Sequence, residues 1–447
     1  MNLWGGEAMS RAASRKDRMS RRQFLRTTAA TAVLAAVAPR RLPLALAQDR
    51  VITLDYFTLF HSGDAAAMER IVRAFNAEHK TVKLNLQQGQ WAEYYAQLFA
   101  AVGAGNAPHI GICHTSRLLD VWRALTPLEE SRAGNLLDAA GIRPGLYTKK
   151  VWDSGVYEGK RYLVPLDSHM WGLWYNKDLF RQAGLDPEKP PETREEFERA
   201  ADAIKARTGK LAFHPAEDAL PRKIRRAWEI LFWGQGGELL TPDGRRAAFN
   251  EERGVRALDY LVGMIHRRGW NRPGTDGFKQ FAAGELGMLL AGNWYLPTTK
   301  DAGVNFGFHY VPKFFDRPVT WGDSHNLALP RQRPDRVSNE VLVAAVQAVK
   351  WINDHSDLWG VYGGHIPAYI PAQRSKVLLE SDSWRLALKK FTDMANAGWV
   401  HYPLMHPKAP QVHAAIEPFI QEAYNGRLSP REALARAEVE VNRALAS

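Results

Sequence analysis

Several tryptophans of this sequence lie next to predicted turns, where their side chains could contact a ligand. All but one of the 15 tryptophans, Trp4, lie after residue 47. Aromatic faces pack against the C–H faces of a sugar ring, while a few polar groups hydrogen-bond its hydroxyls. Tryptophans inside helical patterns, such as Trp122 and Trp228, are expected in the core. Those next to a turn signal or a polar cluster are candidates for ligand contact, namely Trp91, Trp233, Trp294 and Trp321.

Motifs for catalysis or cofactor binding do not occur in the chain. It has no G-x-S-x-G, H-E-x-x-H, Walker or C-x-x-C motif, each of which would indicate a known chemistry. Gly234–Gly237 follows a helical pattern without dinucleotide spacing, which predicts a helix-ending turn. His401, His406 and His413 lie close together among prolines, but no histidines have metal-site spacing with a third ligand. We therefore expect no metal and no cofactor.

The N-terminal segment has the three parts of an export signal. An arginine pair, Arg21-Arg22, precedes an apolar run over Thr27–Ala38, and Ala45-Leu46-Ala47 has the small-residue pattern of a cleavage site,. The apolar run has about half of the roughly 20 residues that a membrane-spanning helix needs. Residues 1–47 are therefore predicted to be a twin-arginine signal peptide, cleaved near Ala47-Gln48, and the mature protein is expected in the periplasm.

The charge and the cysteine content exclude several other classes. Nine arginines and lysines against two acidic residues lie within residues 1–47, so most of the formal charge of +11 belongs to that segment. The remaining basic residues are scattered among acidic ones, which argues against a nucleic-acid partner. The single cysteine, Cys113, lies in an apolar run far from the predicted start. It predicts neither an intramolecular disulfide nor a lipid anchor.

Strand and helix patterns alternate along the rest of the chain. Val51–Phe57 has the composition of a strand, Asp64–His79 has one apolar helical face, and Val82–Leu86 returns to strand spacing,. Thr193 and Glu196 have capping-box spacing at a helix start. This alternation predicts an α/β fold with mostly parallel sheets. Without a long linker, two lobes are expected to be joined by more than one passage of the chain.

A set of ordered motifs resembles one known family. Trp174–Phe180, followed by Ala183–Leu185 and the helix start at Pro190–Thr193, is similar to the signature of extracellular solute-binding proteins of family 1. These are the binding components of ABC importers, and the resemblance covers residues 50–445. Maltose-binding protein has a tryptophan where this chain has Cys113 followed by His114, so maltose is not implied as the ligand. Supporting matches are Gly103–Pro108, Leu125–Leu128, Tyr157–Tyr162, Phe281–Gly284, Gly292–Trp294 and Asn425–Leu434.

The resemblance implies the periplasmic-binding-protein fold, with the ligand in a cleft between two α/β lobes. Residues 48–160 and 313–362 would form the first lobe, and residues 161–312 and 363–447 the second. Three crossings would join the lobes, near Val156–Val164, Asn305–Pro312 and Gly360–Pro367.

The same resemblance implies a set of binding residues on the loops that face the cleft. Arg117 and Asp167 would each bind hydroxyls through two contacts, and Trp294 would form a stacking floor. Arg117 could instead pair with Asp120, and Asp167 could instead cap a turn. The predicted ligand-binding residues are His61, Trp91, His114, Arg117, Asp167, His169, Trp233, Trp294, Trp321, Asp323 and His325.

The function implied is capture of a sugar or oligosaccharide by lobe closure, followed by delivery to an ABC permease. Its other partner would be the twin-arginine translocase during export, and a monomer is expected. A polyamine, a phosphorylated polyol or a metal chelate stays open as the ligand, because a fold does not dictate its ligand. A secreted glycosidase with paired carboxylates is the enzymatic alternative.

Overall fold

The computed structural model describes residues 51–447, so the predicted signal segment lies outside the described residues. Within this range two larger sheets carry the fold. The strands are β1 (Ile52–Thr58), β2 (Val82–Gln88), β3 (Ile110–His114), β4 (Val156–Tyr157), β5 (Lys160–Arg161), β6 (Leu163–Pro165), β7 (Asp167–Asn176), β8 (Leu211–His214), β9 (Leu286–Gly292), β10 (Phe306–His309), β11 (Thr320–Asp323), β12 (His325–Ala328), β13 (Ile366–Pro367) and β14 (Val400–His401).

Helices follow most of these strands and cover both sheets. The helices are α1 (Ser62–Glu78), α2 (Tyr94–Ala104), α3 (Leu118–Val121), α4 (Leu136–Ala140), α5 (Lys149–Asp153), α6 (Lys177–Gln182), α7 (Arg194–Thr208), α8 (Pro221–Trp233), α9 (Glu252–His266), α10 (Gly277–Ala282), α11 (Leu296–Asp301), α12 (Asn339–Asp354), α13 (Ser356–Gly363), α14 (Ile370–Gln373), α15 (Lys376–Leu379), α16 (Lys389–Asn396), α17 (Ala409–Tyr424) and α18 (Pro430–Ala446).

Local sequence signals account for several of these elements. The Thr193 hydroxyl accepts from the Glu196 amide at the start of α7, and the Glu196 carboxylate accepts from the Thr193 amide, which confirms the predicted capping box. Helix α1 buries Met68, Ile71 and Phe75 on one face. Burial of such a face, rather than intrinsic propensity, supplies most of the stability of a helix in a folded protein.

Each sheet has its own core. The first sheet, in the order β2-β1-β3-β12-β6, packs against α1 and α12, and α13 packs on α1. The second sheet, β14-β11-β7-β9-β8, is buried on both faces, since alternate residues of β7 point to opposite sides,. Trp171 and Leu173 enter the core shared with α7, α8 and α9, whereas Met170 and Trp174 enter a smaller core on the other face.

Two continuous stretches of strand join the sheets. Leu166 alone separates β6 in the first sheet from β7 in the second, and Ser324 alone separates β11 in the second sheet from β12 in the first. The two stretches run antiparallel and pair in both sheets. β13, which follows α13, also pairs with β7.

The prediction of mostly parallel sheets is wrong. β1 is parallel to β2 and β3, but β7 is antiparallel to β9, β10, β11 and β13. Strand–helix alternation implies parallel neighbours only where a helix returns the chain to the same sheet. Here the direction of β7, β11 and β12 is set by passage between the sheets.

The chain does not pass between the sheets at the crossing predicted near Asn305–Pro312. The stretch near Asn305–Pro312 contains β10, which pairs with β7 inside the second sheet, and the chain returns to the first sheet only at Ser324. The first and third predicted crossings adjoin the start of β7 and β13. The lobe boundaries stay predictions.

The cysteine and the length of the helices can now be compared with the sequence-based expectations. Cys113 is buried in β3. Within residues 51–447, no helix combines the length and the apolar character that a membrane crossing requires.

A buried histidine makes the stability of the second sheet depend on pH. His214, at the end of β8, is fully buried, and burial lowers its pKa to about 4. Below the ordinary value of 6.5, the unfolded chain binds a proton that the folded ring does not bind, so the free energy of unfolding falls as the pH falls from 6.5 towards 4. One such proton corresponds to about 1.4 kcal/mol per pH unit.

Replacing His214 by glutamine removes this titration. We expect the free energy of unfolding of His214→Gln to fall less steeply between about pH 6 and pH 4.5, by up to about 1.4 kcal/mol per pH unit. Urea unfolding at several pH values measures both slopes. Equal slopes for the two proteins would contradict the assignment.

Candidate ligand-binding cleft

Loops from both sheets enclose a cavity of about 1000 Å³. The first sheet contributes the segment after β1, the start of α2 and the turn after β3. The second sheet contributes the start of α8, the turn after β9 and the end of β11. Nine of the predicted binding residues line this cavity: His61, Trp91, His114, Arg117, His169, Trp294, Trp321, Asp323 and His325.

Trp294 is held at the cavity by the residues that precede it. It lies in a short 3₁₀ turn, Asn293–Tyr295, directly after β9. The buried Asn293 side chain accepts from the Met170 amide at 2.9 Å and donates to the Gly364 carbonyl at 2.7 Å, which fixes the turn to two other segments. Gly292 leaves room for the indole, because a Cβ there would lie 2.2 Å from Trp294 ring atoms.

Trp321 forms a second aromatic surface, and Arg226 lies over it. The guanidinium carbon of Arg226 is 3.7 Å from the Trp321 ring centroid, which is cation–π geometry,. Burial, together with the positive charge of Arg225, lowers the pKa of Arg226 to about 10. Its Nε is buried and has no hydrogen-bond partner within residues 51–447. Among the described residues no carboxylate oxygen lies within 4 Å of the guanidinium, so a charged donor faces the cavity unpaired.

Lys223 and Arg225, also at the start of α8, have carboxylate partners, whereas Arg222 has none within residues 51–447. Lys223 pairs with the buried Glu217 at 3.0 Å, and Arg225 pairs with Glu229 and, at 3.1 Å, with Glu417. Arg222 lies over the Trp91 ring, 5.0 Å from its centroid. The sequence analysis did not predict any of these basic residues. A signal was present, because several basic residues directly follow Pro221 at the start of a helix.

The contact between Arg222 and Trp91 spans the two sides of the cleft. Trp91 precedes α2 on the side of the first sheet, and Arg222 belongs to α8 on the side of the second. Trp91 is 43 % exposed, which leaves indole surface available to a ligand.

Arg117 lines the cavity but already has a partner. Its side chain donates to Asp120, with Nη2 2.6 Å from Oδ2, and its guanidinium carbon lies 4.0 Å from the Tyr95 ring centroid. The pairing with Asp120 that the sequence left open is therefore present. Tyr95, which the sequence reasoning did not include, also lines the cavity and bonds His114 through its hydroxyl, 2.8 Å from Nδ1.

Asp167 lies behind the cavity wall rather than at its surface. It is fully buried, and its carboxylate accepts from the His325 amide at 2.9 Å and from Trp359 Nε1 at 2.8 Å. The rings of His169 and His325 also donate to it through Nδ1, at 3.1 and 2.8 Å. The structure thus places Asp167 neither against ligand hydroxyls nor at a turn cap, because protein donors occupy its oxygens.

Burial and charge set the protonation of this group of residues. Burial alone would raise the pKa of Asp167, but the charges of His325 and His365 and the hydrogen bonds from His169 and His325 hold it well below its usual value. Burial and the neighbouring charge of His325 lower the pKa of His169 to about 3. Burial also lowers the pKa of His114. The His114 and His169 rings are therefore neutral at pH 7.

Asp323 links the two sides of the cleft at its base. Its carboxylate accepts from the Ser116 hydroxyl at 2.5 Å, the Ser116 amide at 3.2 Å and the Ser324 amide at 2.9 Å. Ser116 follows β3 in the first sheet, whereas Asp323 ends β11 in the second. Burial raises the pKa of Asp323.

Trp233 lies outside the cleft, contrary to the prediction that it contacts ligand there. It is buried, stacks on His401 at 3.9 Å and borders a separate cavity of about 610 Å³. The cleft meets the start of α8 near Arg226, and Trp233 lies seven residues further on, roughly 10 Å along the axis. The three histidines near the C-terminus also separate, since His401 and His406 border this second cavity while His413 lines the cleft.

The sequence model of the bacterial extracellular solute-binding proteins matches residues 61–356. A putative binding protein of Brucella abortus (strain 2308) is 24% identical over 253 residues, which are 55% of this chain and 59% of the relative. The sn-glycerol-3-phosphate-binding periplasmic protein UgpB of Escherichia coli (strain K12) is 23% identical over 271 residues, 59% of this chain and 61% of the relative. The matches thus span about three-fifths of these relatives' length.

Solved structures share the fold. A cyclic α-maltosyl-1,6-maltose binding protein from Arthrobacter globiformis has a TM-score of 0.72 at 24% identity, covering 88% of this chain and 99% of that chain. The GacH receptor of Streptomyces glaucescens has a TM-score of 0.74 at 20% identity, covering 89% and 99%. These likenesses confirm the predicted two-lobed binding-protein fold. Since the family match extends over more than half of the sequence, the chain belongs to the bacterial extracellular solute-binding proteins.

Proposed function

We propose that the protein is the substrate-binding component of an ABC importer and that it captures a sugar or oligosaccharide. The observation that carries this proposal is the cavity of about 1000 Å³, with Trp91, Trp294 and Trp321 on its walls. Flat indole faces pack against sugar rings, and the polar groups between them can bond hydroxyls. The solved relatives that bind a cyclic maltose derivative and acarbose support the same ligand class.

Capture proceeds by closure of the two lobes around the ligand. The cavity walls come from both sheets, so a ligand that touches both walls stabilises the closed arrangement more than the open one and shifts the population towards it. The bending sites are the single-residue links at Leu166 and Ser324. The closed form then delivers its ligand to a membrane permease. The protein acts as a monomer and turns over no substrate.

A phosphorylated polyol is the second candidate ligand, and Arg226 favours it. The guanidinium faces the cavity without a carboxylate partner, and arginine binds phosphate through paired donors. The relatives named as sn-glycerol-3-phosphate-binding proteins support this candidate. Four carboxylates, among them Asp64, Asp218 and Asp323, nearly balance the five arginine and lysine side chains of the cavity lining, so the neutral sugar is preferred.

Calorimetric titration separates these candidates. The panel contains monosaccharides, linear and cyclic oligosaccharides, and sn-glycerol 3-phosphate. Binding of a neutral sugar supports the proposal, whereas binding of the phosphate ester alone replaces it by the second candidate. Incubation with aryl glycosides provides the enzymatic control, and release of the aryl group would contradict a binding role.

Loss of the Trp294 indole is expected to weaken sugar binding without unfolding the protein. A buried tryptophan at the centre of an interface contributes about 2 kcal/mol or more, so Trp294→Ala should raise the dissociation constant by about 30-fold. Calorimetric titration with the sugar of the panel that binds most tightly measures this dissociation constant. Trp351→Ala, in α12 outside the cleft, is the matched control and should keep wild-type affinity. Unchanged affinity in Trp294→Ala would remove this residue from the site.

Gly292→Ala tests the position of the same indole without removing it. The new methyl group would lie 2.2 Å from ring atoms of Trp294, so the ring must turn into the cavity. We expect weaker sugar binding together with a change in tryptophan fluorescence. Gly103→Ala, whose Cβ meets no atom within 4 Å, is the control. Wild-type affinity in Gly292→Ala would show that the exact ring position is unimportant for binding.

Export by the twin-arginine translocase is the proposed route to the periplasm, with cleavage near Ala47-Gln48,. Changing Arg21 and Arg22 together to lysine keeps the charge and removes the pair that defines the signal. We expect the double variant to accumulate in the cytoplasm with its N-terminal segment uncleaved. Cell fractionation and N-terminal sequencing measure this, and Arg40→Lys with Arg41→Lys is the charge-matched control. Normal export of the Arg21/Arg22 variant would contradict the assignment.

A further inference from the structure

Four side chains able to bind a metal meet where the chain passes between the sheets. Asp167 begins β7, and His169 lies two residues later in the same strand. His325 begins β12, and His365 directly precedes β13. One ligand atom from each residue lies within 4.8 Å of the other three, and all four residues are buried. Segments that are distant in sequence thus converge on one point behind the cleft.

The spacing of these atoms is close to that of a metal coordination sphere. Asp167 Oδ1 lies 3.1 Å from His169 Nδ1, and Asp167 Oδ2 lies 2.8 Å from His325 Nδ1 and 3.2 Å from His365 Nδ1. Ligands about 2.0–2.2 Å from a tetrahedral zinc ion are roughly 3.3–3.5 Å apart. An ion would replace the Nδ1 protons that His169 and His325 donate to Asp167, and small movements of the rings would bring the four donor atoms, which now lie within 4.8 Å of one another, to this spacing.

His365 has the orientation of a metal ligand. Its Nε2 lies 3.1 Å from Asp64 Oδ1, so the Nε2 proton is donated to that carboxylate. In the neutral ring this leaves a lone pair on Nδ1, which is buried 3.2 Å from Asp167 Oδ2 and has no hydrogen-bond partner in the part of the chain that the structure describes. A lone pair facing a carboxylate oxygen in the interior is unfavourable unless a positive charge lies between them, which is either a metal ion or a second ring proton favoured by the charges of Asp64 and Asp167.

The contact between His365 and Asp64 is also typical of the residues that surround the direct ligands of a metal ion. Histidines that bind metals commonly donate their second ring N–H to a carboxylate, which fixes the tautomer and orients the ring. Trp359 Nε1 donates to Asp167 Oδ2 at 2.8 Å, and the indole stacks on His365 with centroids 4.6 Å apart. These contacts hold the carboxylate and the ring in place before any ion arrives.

The set of donors selects the kind of ion. Three imidazole nitrogens and one carboxylate oxygen suit zinc and neighbouring late first-row metals, whereas calcium and magnesium prefer oxygen ligands. We propose that Asp167, His169, His325 and His365 form a binding site for a divalent transition metal of the zinc class. His169 and His325 border the cleft, which provides a route of entry.

The site can be tested without any sugar, so its failure and that of the proposed function are distinguishable. Protein stripped with a chelator is equilibrated with Zn²⁺ and analysed by elemental mass spectrometry. We expect one zinc per chain and a higher melting temperature, because an ion that binds only the folded state stabilises it. Co²⁺ should give the intense visible absorption of a tetrahedral site with nitrogen and oxygen ligands.

Variants assign the ion to these four residues. His365→Gln and His169→Gln should each lower zinc affinity by at least tenfold and remove the cobalt absorption. His355→Gln, at the end of α12 and outside the cluster, should bind as the wild type does. If His365→Gln fails to fold, His169→Gln decides the outcome, since His169 borders the cleft.

Two results would overturn the proposal. One is uptake of less than about a tenth of an equivalent of zinc at micromolar free metal. The other is zinc binding that is unchanged in folded His169→Gln and His365→Gln. Either result would leave a proton on His365 as the positive charge between Asp64 and Asp167.

Discussion

The buried carboxylate of Asp167 is the constraint on which the junction of the two sheets depends. An ionised carboxylate without partners in the interior costs several kcal/mol. Its donors come from β7, from β12 and from α13, so the charge is satisfied only when all three elements are assembled. The place where the chain passes from one sheet to the other is thereby specified by hydrogen bonding as well as by strand pairing.

The cleft is built outward from this junction. His169 and His325 present their rings to the cavity while donating to Asp167 behind them. Asp323, at the end of the neighbouring strand, bonds Ser116 from the opposite sheet. The aromatic walls rest on similar supports, since Asn293 ties the turn that carries Trp294 to two other segments. The side chains that line the cavity are therefore positioned by buried polar groups such as Asp167 and Asn293, which lie behind the lining.

The sequence predicts local features better than relations between distant segments. Periodicity locates β1, α1 and β2, and the capping box marks the start of α7, because these signals act within a few residues. The direction of β7 could not be inferred, since no helix returns it to the first sheet. Most of the predicted cleft residues came from family order and do line the cavity. Arg226 was missed because its helical position also suits solvent exposure, and only the fold shows which end of α8 meets the cleft.

The single-residue links at Leu166 and Ser324 have a consequence for the entropy of ligand capture. The two linking strands are paired on both sides of these residues, so the lobes cannot twist independently about a flexible tether. In the proposed closure, paired links of this kind would restrict the relative motion of the lobes largely to bending, so that few orientations would be lost. Less of the interaction energy with the ligand is then spent on ordering the protein. A binding protein connected in this way can hold a small, hydroxyl-rich solute with a modest number of contacts.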